Sequence, residues 1–274
     1  MNFPAPFRRI AITTAALLFS WQAGKAQDAS AELPEADLAP PAFVLVHGAW
    51  GGGYEFAPVA ELLRQKGYRV FTPTLTGLGD RVHLLSAETD LSTHIEDVAN
   101  VFRFEGIERA VLLGHSYGGM VITGVADRIP DQIAAIVYLD AAVPVDGEAL
   151  ADLDLFDPDA ANWVLEAQQA GLAAIPFPGG PALAGVPEDV IAKIVPHPTA
   201  SLTEKIHLTG AGASVTDRTY VSATEFPAFH AYYEKMLNDP AWHTVQVATG
   251  HNIHVEAPER TAQILEDVLQ RILP

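Results

Sequence analysis

The chain has 274 residues, 49% of them hydrophobic and 18% charged, which gives enough apolar side chain for one large core. Acids outnumber bases 34 to 16, and the formal net charge of −18 argues against nucleic acid as a partner and favours neutral or cationic small molecules. There is no cysteine, so disulfides, thiolate-bound metals and a cysteine nucleophile are excluded.

Residues 1–26 read as an export signal. "MNFPAPFRR" is a positively charged start, "IAITTAALLFSW" an apolar stretch, and "AGKA" ends in small residues, which sets cleavage after Ala26. Arg8 and Arg9 also form the pair of a twin-arginine signal, without surroundings that support it. Losing this segment removes three bases and no acid, leaving a net charge of −21. The apolar run is too short to span a bilayer and no later segment is longer, so stable membrane insertion is not expected. Residues 27–41, "QDASAELPEADLAPP", read as a flexible acidic leader, and the fold is expected to begin near Ala42.

From there strands and helices alternate. "AFVLVHG" is an unbroken apolar run of strand length, suited to a strand covered on both faces. "YEFAPVAELLRQKG" has helical spacing closed by Gly67, and "YRVFTPTL" reads as a second strand. "LSTHIEDVANVFRFEG" is a helix with Ser92 or Thr93 as its expected cap and Gly106 at its end. "RAVLLGHS", "GGMVITGVADRIP" and "IAAIVYLDA" continue as strand, helix, strand. The interval Val143 to Asp217 breaks the rhythm. Its Leu153, Leu155, Phe156, Trp163, Val164, Leu165 and Phe177 suggest a packed helical lid rather than a disordered insertion. "RTYVSAT", the helical "AFHAYYEKMLND", the strand "WHTVQVA" and the helix "APERTAQILEDVLQRIL" complete the chain. Such alternation predicts an α/β fold, a doubly wound, mostly parallel sheet with the lid inserted between sheet strands.

In such a sheet reactive groups collect at the carboxyl ends of strands. "LLGHSYGGM" holds Ser116 between Gly114 and Gly118 at a strand-to-helix turn. A bare Gly-x-Ser-x-Gly arises by chance, and glycines there also serve plain packing. Asp140 ends "AIVYLD", and His251 follows the last strand in "VATGHNIH". A serine hydroxyl needs a base to take its proton, and the histidine needs a carboxylate to fix its tautomer. The order Ser, acid, His therefore reads as a nucleophile, a base and its orienting partner. "HGAWGGGY" after the first strand supplies the remaining part, with the backbone N–H groups of Ala49 and Tyr117 in position to hold an oxyanion.

"FVLVHGAW", "TPTLTGLGDRVHLLS", "THIEDV", "LLGHSYGGMVITGVAD", "IVYLDAAVP" and "GHNIHVEAPE" together resemble the esterase and hydroxynitrile-lyase family of α/β-hydrolases, its bacterial esterase branch above all. The resemblance covers residues 42–274, with the stretch of about 143–217 as its loosest part, and implies the α/β-hydrolase fold and ester hydrolysis without a cofactor. Lyases of this family carry threonine and lysine where this chain has Gly48 and Asn252, which turns the reading toward an esterase. Many relatives place the acid in a pattern ending where Phe226 stands here. Asp140 then replaces it from the preceding strand, with Glu225 as the competing carboxylate.

Other residues have plainer readings. His251, His254 and Glu256 match no strong metal signature, and no metal is expected. His47 is expected to brace the Ala49 loop. His115 and Tyr117 either shape the pocket or simply pack, and the loop with Arg81 and His83 packs beside the site. Trp50, Phe156 and Trp163 are candidate walls of an apolar acyl pocket or ordinary core. The expected protein is an exported serine hydrolase acting on a small-molecule ester. Its rivals are a lyase on the same residues and a ligand-binding protein that has kept the fold.

Overall fold

Unbroken apolar strands can be stable only when both faces of their sheet are covered. The computed structural model describes residues 41–153 and 158–273, without the side chains of 158–162. The export signal, residues 27–40 of the leader, Leu155 and Phe156 lie outside the described residues. Eight strands occur among the described ones: β1 (Ala42–Val46), β2 (Val70–Phe71), β3 (Ala110–His115), β4 (Ile133–Leu139), β5 (Ala174–Ile175), β6 (His197–Pro198), β7 (Arg218–Ala223) and β8 (His243–Val247). Six form one all-parallel sheet in the order β2-β1-β3-β4-β7-β8. The helices are α1 (Ala57–Gln65), α2 (Leu91–Phe104), α3 (Gly118–Arg128), α4 (Pro158–Gln169), α5 (Glu188–Ile191), α6 (Thr199–Thr203), α7 (His230–Leu237), α8 (Ile253–Glu256) and α9 (Pro258–Ile272).

Side chains alternate across β1. Phe43 and Leu45 enter a core shared with Val59 and Leu63 of α1 and Leu265 and Val268 of α9. Val44 and Val46 enter the opposite core, with Val98 and Phe102 of α2 and Val121 and Val125 of α3. Each such side chain contributes about 1.5–3 kcal/mol on full burial, so both faces of the sheet stabilise it. Register then aligns the strand ends: Val46 pairs with Gly114, His115 with Leu139, and Leu139 with Val221. Ser116, Asp140 and the residues after β7 and β8 consequently emerge along one edge.

Three local expectations are corrected. The β2 strand stops at Phe71, two residues before Pro73, which has no N–H to give a ladder. Helix α2 is capped by Asp90 rather than Ser92 or Thr93: the Asp90 carboxylate accepts the Thr93 N–H at 2.8 Å, and Ser92 instead bonds Glu204. The described residues of 143–217, between β4 and β7, are only partly helical. Pro176, Pro178, Gly179, Gly180 and Pro181 interrupt any helix, and β5 pairs antiparallel with β6 in a short ribbon. The segment is packed as expected, with Leu153, Val164, Ile175 and Leu202 in the core, although Leu165 is exposed.

Candidate active site

Ser116 sits between β3 and α3 at φ +54°, a left-handed conformation costly for a residue with a Cβ. The glycines around it make that turn feasible. A Cβ at Gly114 would lie 2.5 Å from the Gly118 carbonyl, and one at Gly118 would lie 2.7 Å from the Val46 carbonyl. A Cβ at Gly119 would overlap the Ala142 carbonyl. The turn is therefore pressed between β1 and the end of β4, and the serine side chain opens on a cavity instead of the core. These glycines serve close approach and a strained serine together, as a nucleophile elbow requires.

Asp140 leaves β4 at φ +44° and is fully buried. Its backbone N–H donates to the Val221 carbonyl at 2.7 Å, and its Oδ1 accepts the Ala223 N–H at 3.1 Å, so β7 holds the residue by its backbone and by one carboxylate oxygen. Its Oδ2 lies 2.7 Å from Nδ1 of His251. A carboxylate only accepts, so the proton is on Nδ1 and Nε2 is left with a free lone pair. Burial raises the Asp140 carboxyl above its ordinary value, while the hydrogen bond and charge of His251 pull the other way. Glu225, the competing acid, is exposed on the cavity wall, and its side chain makes no hydrogen bond among the described residues. Phe226 and Phe229 lie over the His251 ring, with centroids at 4.5 and 5.2 Å, and limit its rotation. His251 and Ser116 line the same cavity, and no hydrogen bond joins them among the described residues. The structure thus bonds Asp140 to His251 and brings Ser116 to their cavity.

The loop after β1 carries Ala49, whose N–H the sequence suggests as an oxyanion donor. Neither the Ala49 nor the Tyr117 amide donates to another protein group among the described residues. His47 accepts the Leu75 N–H on Nε2 at 3.1 Å, so its Nδ1–H donates to the Gly48 carbonyl at 2.8 Å. That carbonyl belongs to the same peptide unit as the Ala49 N–H. Donation to its oxygen fixes the unit's direction and polarises the N–H. The next peptide is tied to the inserted segment: Trp50 donates its N–H to Nδ1 of His197 at 3.1 Å and its indole N–H to the Ile175 carbonyl at 2.9 Å. The Trp50 carbonyl in turn accepts the Val195 N–H. Three bonds from one residue at φ +63° latch the insertion to the loop.

The shared cavity has a volume of about 740 Å³, within the range of small-molecule sites. Trp50 forms part of its wall; Trp163 stacks on Trp50 but lines a separate small void. Phe156 lies outside the described residues. Phe177, Phe226 and Phe229 are wall residues that the sequence reading missed. Phe226 had been legible only as a missing aspartate. A Cβ at Gly48 would stand 2.9 Å from Nδ1 of His115 and 3.1 Å from the Ser116 Cβ, so a threonine would not fit there unless His115 moved. His254 stacks on Phe56, and Glu256 accepts the Gly250 N–H. The Arg81 loop is anchored beside the site by an Arg81–Asp97 pair at 3.2 Å.

Four histidines behind this surface are held neutral. Burial lowers His47, pushes His94 down to about 4, and takes His115 and His197 well below the ordinary value. A histidine depressed in the folded state contributes no pH dependence above its unfolded pKa of about 6.5; below it the unfolded chain takes up protons first and stability falls. Melting temperature is expected to be flat with pH from 9 to 7 and to drop steadily from about 6.5 toward 4, read by calorimetry. A flat profile through that window would contradict the neutral cluster.

Comparison with known proteins agrees with this geometry. The model of the alpha/beta hydrolase family matches residues 43–264. The chain belongs to that family. Among α/β-hydrolases it is 37% identical over 235 residues to a carbendazim hydrolyzing esterase of a Nocardioides species, covering 81% of this chain and 97% of that one. A pyrethroid hydrolase of Sphingobium wenxiniae is 39% identical over 107 residues, 38% of this chain and 37% of that one. A solved extracellular α/β-hydrolase from a Paenibacillus species superposes with a TM-score of 0.70 at 25% identity, covering 84% of this chain and 99% of that one. Within the α/β-hydrolases the chain is an esterase. No helix among the described residues is long and apolar enough to cross a membrane.

Proposed function

We propose that this α/β-hydrolase is an exported serine esterase that cleaves bulky, largely apolar carboxylic esters through an acyl-enzyme. The observation that carries the reading is the 2.7 Å bond from a buried, doubly tethered Asp140 to His251, beside a cavity that also receives Ser116. Ser116 Oγ attacks the ester carbonyl while Nε2 of His251 takes its proton. Asp140 stabilises the imidazolium, and the amides of Ala49 and Tyr117 hold the oxyanion. Collapse expels the alcohol, which receives the proton from His251, and water repeats the sequence to release the acid. The aromatic wall and the relatives named for carbendazim and pyrethroids support a large, mainly apolar substrate.

A fluorophosphonate probe tests the nucleophile. Mass spectrometry is expected to find the adduct on Ser116, with aryl-ester turnover unaffected by chelator. Labelling elsewhere, chelator-sensitive turnover, or saturable ester binding without hydrolysis would each overturn the reading, the last in favour of a binding protein.

Residues 42–274 form the catalytic domain in this reading, with about 143–217 as its lid, and the charged, apolar and small-residue order of residues 1–26 supports export. N-terminal sequencing of protein from the periplasm or medium is expected to begin at Gln27. Intact Met1 on cytoplasmic protein would count against export.

A further inference from the structure

Glu55 stands in the turn between the Ala49 loop and α1 and lines the same cavity as Ser116. Its side chain is only 11% exposed. Even so, its carboxylate accepts no hydrogen bond among the described residues. The nearest basic atom is Nε2 of His254 at 3.7 Å, outside hydrogen-bond reach. The carboxylate occupies space that a side chain at Gly51 would fill, so this glycine admits Glu55 to the wall beside the oxyanion loop. No lysine or arginine is among the described residues lining the cavity, and Glu225 adds a second carboxylate. Lys193, the cation that approaches this region over the Tyr54 ring, is paired with Asp189 at 3.6 Å.

A sheltered carboxylate on a cavity wall with no protein donor gains a charge-assisted hydrogen bond when a donor or cation arrives from a ligand. A carboxylate group only accepts, so an anionic ligand group is repelled and a purely apolar one leaves it unpaired. We propose that Glu55 is a recognition site for a protonated amine or other N–H-bearing nitrogen on the substrate. The assignment rests on the esterase reading, and it narrows the substrate class to esters carrying such a nitrogen. The same wall disfavours retention of the carboxylate product, since Glu55 and Glu225 both face the cavity that the new anion must leave.

The test compares two nearly isosteric ligands, 4-(aminomethyl)phenyl acetate and 4-ethylphenyl acetate, binding to the Ser116→Ala protein by calorimetry. Binding to this variant needs no turnover, so failure of hydrolysis overturns the esterase reading while the Glu55 assignment is still judged. The ammonium ligand is expected to bind about tenfold tighter or more, as a charge-assisted hydrogen bond gives. Adding Glu55→Gln is expected to abolish the preference, and Glu55→Asp, which keeps the charge, to retain part of it. If Glu55→Gln does not fold, the Glu55→Asp protein decides, because a preference undiminished by withdrawing the carboxylate one methylene would overturn the assignment. Equal binding of the two ligands, or a preference that survives Glu55→Gln, would also overturn it.

Discussion

Ser116→Ala is expected to lower ester turnover by about 10⁶-fold while leaving the fold intact, by analogy with removal of a serine nucleophile elsewhere. The variant keeps the Cβ and so keeps the φ +54° turn and its glycine neighbours unchanged. Only the hydroxyl is lost. The Ala49 and Tyr117 amides and the aromatic walls are retained, so the remaining catalysis should exceed the reaction in water by roughly 10³–10⁴-fold, the part that oxyanion donors and binding supply alone. KM is expected to change little, because the apolar walls and not the hydroxyl hold the substrate. Steady-state turnover of aryl esters, with circular dichroism to verify folding, checks this. An alanine variant with wild-type activity would remove Ser116 from the chemistry and leave its strained turn without a function.

Much of this site was legible in the chain order because two strong local signals coincide. Unbroken apolar runs such as "AFVLV" and "AIVYL" mark strands covered on both faces, and parallel strands place their carboxyl ends on one edge. Ser116 and Asp140 each follow such a run and His251 follows the more polar edge strand β8, so their convergence follows from parallel topology. What could not be read was set by contacts between distant segments. The role of Phe226 and Phe229 over the His251 ring depends on how the chain turns after β7, and no periodicity encodes it. His197 lies in a proline- and glycine-broken stretch whose sequence gives no hint that it accepts the Trp50 N–H. The Asp90 cap was missed for a simpler reason: three cap-forming residues within four positions, Asp90, Ser92 and Thr93, compete there, and Glu204, more than a hundred residues away, takes Ser92. Glu55 escaped notice because an isolated acid before a helix ordinarily faces solvent.

Asp140→Asn is expected to cost about 10⁴-fold in turnover, and Glu225→Gln is expected to show no such loss. The difference follows from where each acid is held. An asparagine at position 140 can still accept the Ala223 N–H through Oδ1, and that bond fixes which way its amide faces. Its NH₂ then points at His251, where the carboxylate oxygen stood. A donor opposite Nδ1 drives the imidazole proton to Nε2, so the atom that should receive the serine proton already carries one. Burial makes the substitution harsher, since no water can bridge the mismatch at a fully buried position. Glu225 has no such partner. Its side chain is exposed on the cavity wall, and an exposed change of this kind is typically worth no more than about twofold. Both variants are to be compared by kcat on the same aryl ester after their melting temperatures are matched against the parent. Loss in Glu225→Gln with retention in Asp140→Asn would transfer the orienting role to Glu225 and reduce Asp140 to a buried clamp between β4 and β7.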